Sequence, residues 1–178
     1  MRFLATLLIL PLLLLTGCGD NDEPAASVES YSVYYLVEFD ENLSQFYDIT
    51  AIYTAASGAT VTKPLSETTP MSLTVPADAA QQGIVLRAVA TVKDPLPEAD
   101  ATRDYRLYYW TQMSVRANRA DGSSEKVYDR EKADIHVVKG SQMADFTRSH
   151  PTIVMTAFSY LSLIHLSEPT RQAEISYA

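Results

Sequence analysis

One cysteine, three histidines and a few clustered acids are the residues of this 178-residue chain that could do chemistry. Cys18 is alone, so no internal disulfide can form and the fold must stand on burial. His136 and His150 lack partners at metal-ligand spacing, and no metal site is expected of them. Asp20, Asn21 and Asp22 offer oxygen ligands, yet the glycine and distal glutamate of a calcium loop are missing. Ser123 and Lys126 have S-x-x-K spacing. They follow Asp121-Gly122, a hairpin signal, where serine chemistry of that type needs a helix N-terminus. No G-x-S-x-G, P-loop or G-x-G-x-x-G occurs, so no catalytic residues are assigned and no enzyme is expected. Asp129, Glu131 and Asp134 crowd around Arg130 and Lys132, which reads as a solvated, salt-bridged loop. Lys and Arg total 14 against 22 Asp and Glu, a balance that disfavours a phosphate backbone and excludes nucleic acid as a partner.

Cys18 takes its meaning from its neighbours. Arg2 is followed by an apolar run from Phe3 to Leu15, shorter than the roughly 20 residues that span a bilayer, which reads as a signal-peptide core. The run ends in Leu15-Thr16-Gly17-Cys18, which resembles the bacterial lipoprotein box L-[AST]-[GA]-C. The resemblance implies cleavage between Gly17 and Cys18, a diacylglyceryl thioether on Cys18 Sγ, and acylation of the new amino group. Two or three acyl chains anchor a protein stably where one does not. No other cofactor is expected. Residues 1–17 are then a lipoprotein signal peptide and 18–29 an acidic tether. Gly19 stands where an aspartate would imply inner-membrane retention. Asp20, Asp22 and Glu23 resemble the surface-export signal of some Gram-negative lipoproteins, which implies an outer-membrane, surface-exposed protein; the periplasmic face is the alternative.

The other end changes character after Tyr160. Leu161 to Arg171 resembles a translated transposase-type sequencing adapter at every place but Leu166, and Ile175 to Ala178 resumes the match. Residues 161–178, His165 among them, are therefore set aside as non-native.

Between 30 and 160 the apolar period is two, the period of half-buried strands. It runs through 31–39, 47–55, 71–75, 84–92 and 105–115, with Ser57-Gly58 turning into 59–63, a segment through Val127 and Tyr128 after Asp121-Gly122, a short strand at 135–138 and another over 152–160. Ser57-Gly58 and Asp121-Gly122 read as turns, and the proline-broken 94–104 as an exposed loop. Gly140-Ser141 offers an N-cap to one short helix near 141–149, closed by His150-Pro151. The expectation is an all-β, antiparallel two-layer β-sandwich, immunoglobulin-like in architecture, without the Cys–Trp–Cys signature of immunoglobulin domains. Lipobox, acidic tether and one sandwich together resemble small lipoproteins of gut-type Gram-negative bacteria.

One feature of the strands points to binding. With Tyr105, Leu107, Tyr109, Thr111 and Met113 inward, Arg106, Tyr108, Trp110 and Gln112 share the opposite face, and Tyr34 and Leu36 can extend it. Exposed aromatics there can stack on sugars or anchor a protein. The alternative is cross-strand packing that only stabilises the sheet, or cover by the 141–149 helix. The sequence thus leads to a lipid-anchored, non-enzymatic module that binds a protein or a glycan. A pilus-like assembly subunit that exchanges a strand is the second reading, and a hydrolase the least favoured.

Overall fold

The computed structural model describes residues 26–161. Gly17, Cys18, the signal peptide, most of the tether and residues 162–178 lie outside these residues. Eight strands form two antiparallel sheets: β1 Val28–Phe39, β2 Tyr47–Thr54, β3 Thr60–Leu65, β4 Thr69–Pro76, β5 Ile84–Val92, β6 Asp104–Arg119, β7 Ser124–Lys139 and β8 Thr152–Tyr160. Sheet A has the order β4-β1-β6-β7 and sheet B β3-β2-β5-β8. The two orders interconvert by adding four to each strand of one half, so β1–β4 and β5–β8 are two equivalent windings that exchange sheets. The expected two-layer sandwich is present.

The sandwich forms because each central strand alternates. On β1, Tyr31, Val33, Tyr35 and Val37 are buried, and on β6 so are Tyr105, Leu107, Tyr109, Met113 and Val115. Sheet A supplies bulky tyrosines. Sheet B offsets them with Ala51, Ala88 and Ala90 beside Ile49, Leu86 and Met155. Large residues on one layer and small ones on the other fill the gap at interior density. The buried phenols have somewhere to put their protons: Tyr35 Oη donates to Thr54 O across the sheets at 3.0 Å, and Tyr47 Oη donates to His150 O at 3.0 Å.

Three local expectations are corrected. Residues 129–134 are not a loop: β7 is continuous over Ser124–Lys139 and pairs with β6 from Asp104↔Lys139 to Asn118↔Ser124. An edge strand is solvated on most of its surface, so it carries charge at positions a central strand would make apolar. Second, Ser141 does not cap the helix. A 3-10 turn occupies Gly140–Gln142, and α2 follows over Met143–Ser149, with no side-chain cap at Gln142. His150 closes it as the following proline requires. Third, a helix without an apolar repeat long enough to read stands between β1 and β2: α1, Glu41–Phe46, capped by Asp40 Oδ1 accepting from Leu43 N at 2.9 Å, with Leu43 and Phe46 buried.

Gly140 joins β7 to α2 where the chain touches the 94–103 loop; its N–H donates to Arg103 O at 2.8 Å. A Cβ there would collide with the Asp100 carbonyl. Gly140→Ala is expected to cost about 1–3 kcal/mol, as overpacking does, measured by urea denaturation. Burial pushes the phenols of Tyr35 and Tyr47 up to about 12. An unfolded tyrosine ionises near 10, so the stability these phenols give is whole below about pH 10 and is lost as pH rises toward 12, by up to about 1.4 kcal/mol per pH unit per phenol. Denaturation midpoints followed from pH 9 to 12 should fall, and Tyr47→Phe should flatten the fall.

Candidate interaction face

The hairpin of β6 and β7 positions the candidate residues. Asp121 and Gly122 make the turn: Ser123 N donates to Asp121 Oδ1 at 2.8 Å and Gly122 takes φ +83°. Asp121 is held below the ordinary carboxylate range by its hydrogen bonds from Ser123. Ser123 thus serves a turn, and Lys126 Nζ lies 2.7 Å from Asp129 Oδ2; no helix begins there.

From the turn, register carries every second residue outward. Arg106 lies opposite Val137 and Tyr108 opposite Ile135. Trp110 lies between Glu38 of β1 and Ala133 of β7, and Gln112 between Leu36 and Glu131. The four sequence-derived residues therefore share one face of sheet A. Arg106 is stacked on Tyr108, its Cζ 4.8 Å from the ring centroid. Gln112 Nε2 donates to Asp129 Oδ1 at 3.3 Å, and Asp129 is held low by its bonds from Lys126 first and Gln112 second.

Two residues belong to this face that the sequence reading left out. Ile135 is 47 % exposed and Val137 68 % exposed, beside Tyr108 and Arg106. Counting back from the turn does not find them: from Asn118↔Ser124, strict alternation would pair Ile135 with inward Leu107, and the register shift between Val115 and Arg116 is what turns Ile135 and Val137 outward. Leu36 and Tyr34 also face outward. Leu36 is only 7 % exposed, packed between the strands bearing Pro70 and Gln112, so it is a floor more than a contact point. Toward the hairpin end the face turns polar, with Ser32, Ser72, Thr74, Ser114 and Arg116 around a shallow depression.

Helix α2 does not cover this face. His136, opposite inward Leu107, meets Phe146 of α2 at 5.4 Å between ring centroids, so α2 packs on the other side of β7. The fold joins the two histidines that sequence spacing kept apart. Phe146 stacks on His150 at 4.4 Å, His136 and His150 are 6.0 Å apart, and Asp134 Oδ2 is 3.6 Å from His136 Nε2. Among the described residues no group of three His, Cys, Asp or Glu is arranged to hold a metal ion.

The β7 side of the sandwich is closed by inward charge. Lys132, opposite buried Thr111, reaches across to β8 and donates to Val154 O at 2.8 Å. Tyr128 and Tyr160 meet edge-on at 5.9 Å further along. Prolines stand on the opposite edges, Pro64 on β3 and Pro70 and Pro76 on β4.

The face is a patch of apolar side chains with hydrogen-bonding groups at its rim. Such a surface gains free energy by desolvation and orientation by polar contacts. If Val137 is outward, Val137→Ser should change stability by less than about 0.5 kcal/mol, whereas Leu107→Ala, one strand away and inward, should cost about 2–5 kcal/mol. Chemical denaturation of the two variants measures the contrast.

No protein-family model, no curated protein and no solved structure matches this chain.

Proposed function

We propose that the chain is a lipid-anchored outer-membrane lipoprotein, exposed at the cell surface, whose sandwich is a non-enzymatic module that binds a protein. Anchoring rests on Leu15-Thr16-Gly17-Cys18 and the acidic residues that follow. The binding reading rests on one observation: Tyr108, Trp110, Ile135 and Val137 lie together on an outward face of sheet A on which Ile135 and Val137 are exposed.

Composition favours a protein ligand over a glycan. Arg106 already occupies one side of the Tyr108 ring, which a sugar would need for stacking. Ile135 and Val137 offer aliphatic area that sugar hydroxyls do not match. Trp, Tyr and Arg are also the residues that carry most binding energy in protein interfaces. Strand exchange is less supported. β7 carries inward Arg130, Lys132 and Asp134, and β3 and β4 carry prolines, which are features that discourage an added strand.

Two measurements test the proposal. Growth in labelled palmitate should mark the wild-type protein and leave Cys18→Ala unmarked; an unmarked wild type removes the anchor. A photo-crosslinking amino acid at position 135 should trap a protein on intact cells, while the same group at Ile52, on the outward side of sheet B, should not. Equal trapping at both positions, or retention of a purified glycan that Trp110→Ala abolishes, would overturn the protein-binding reading.

A further inference from the structure

The way the tether enters the sandwich gives the domain a near end and a far end. Arg119 Nη1 donates to Ala26 O at 3.1 Å, Ala120 N to Ser27 O at 3.0 Å, and Ala77 N to Glu29 O at 2.9 Å. Arg119 is itself braced by Glu125 at 3.0 Å. These bonds fix the chain's point of entry beside the Arg119–Ser124 hairpin, at the end of the sandwich where β4 and β6 finish and β7 begins.

β1 then runs straight away from that end. Trp110 pairs with Glu38, ten residues beyond Val28, which is about 33 Å along an extended strand. The far end is tied down independently of the near one. Asp40 N donates to Tyr108 O at 3.2 Å, and Asn42 Nδ2 to Arg106 O at 3.0 Å, so α1 is bonded to the strand that bears the face. Tyr108, Trp110, Ile135 and Val137 all belong to this far half.

Only seven residues lie between Cys18 and Ala26, eight Cα-to-Cα steps that reach at most about 28 Å at full extension. Asp20, Asp22 and Glu23 fall within it, and the whole chain has a net charge of -8. An anionic lipid surface repels such a sequence and does not draw the domain down onto its side. We infer that the sandwich stands end-on to the membrane, with the Arg119–Ser124 hairpin toward lipid and the Tyr108–Trp110 face carried outward to meet a partner arriving from the aqueous side. This inference rests on the acylation of Cys18 proposed above.

Trp110 is the only tryptophan in the chain, which makes the orientation measurable. The mature acylated protein is inserted into vesicles whose headgroups bear an energy acceptor, and transfer from tryptophan is recorded. Wild type is compared with two relocated reporters, Ser123→Trp and Asp121→Trp, each combined with Trp110→Phe. Transfer from positions 123 and 121 should exceed that from Trp110 several-fold. Equal transfer from all three means that the sandwich lies on its side, and the greatest from Trp110 that the face lies against lipid; either overturns the orientation. Mass spectrometry of the same preparation separates this from failure of the anchor: bare Cys18 refutes acylation. In that event the protein is coupled to a maleimide lipid through Cys18, and the same comparison decides the orientation alone.

Discussion

The face that this account turns on exists only because β6 is held in one register. Its residues alternate between two environments, and a slip of one place would send Tyr105, Leu107, Tyr109 and Met113 into water and draw Arg106, Tyr108, Trp110 and Gln112 into the core. Burying a side chain such as Leu107 or Met113 contributes roughly 1.5–3 kcal/mol by leaving water, and the buried tyrosines add to it, so the slipped state is far from competitive. Pairing with β1 on one side and β7 on the other then transmits the register outward. Burial on one side of the sheet thus decides what the other side displays, without a disulfide to help.

The same logic explains how the sandwich keeps its edges. A free edge offers unpaired backbone groups to any other strand. Here β7 places Arg130, Lys132 and Asp134 toward the rim of the interior, and Lys132 spends its charge on a carbonyl of β8. The prolines of β3 and β4 guard the opposite side.

Much of this was legible in the sequence, because the central strands obey period two so closely. The inward and outward sets on β1 and β6 follow from Tyr31 to Phe39 and from Tyr105 to Val115 by counting alone. The reading failed where tertiary context overrides pattern. The middle of β7, 129–134, looks like a loop because an edge strand solvated on most of its surface carries charge there, and reading 135–138 as a separate short strand left Ile135 and Val137 out of the site. α1 is six residues long, too short for periodicity, and is fixed by Asp40 at its start and by the burial of Leu43 and Phe46. The meeting of His136 with His150 across Phe146 depends on α2 folding back on β7, which no local spacing encodes.

Trp110 stands on the outward face of sheet A, between Glu38 and Ala133, and no partner covers it in the isolated protein. Iodide quenching of its fluorescence tests this directly, since iodide reaches water-facing indoles and is excluded from packed interiors. Clear quenching is expected in the isolated mature domain, with an emission maximum typical of a partly hydrated indole. Emission that is blue-shifted and unresponsive to iodide would mean that the indole is covered within the fold, and would contradict this placement.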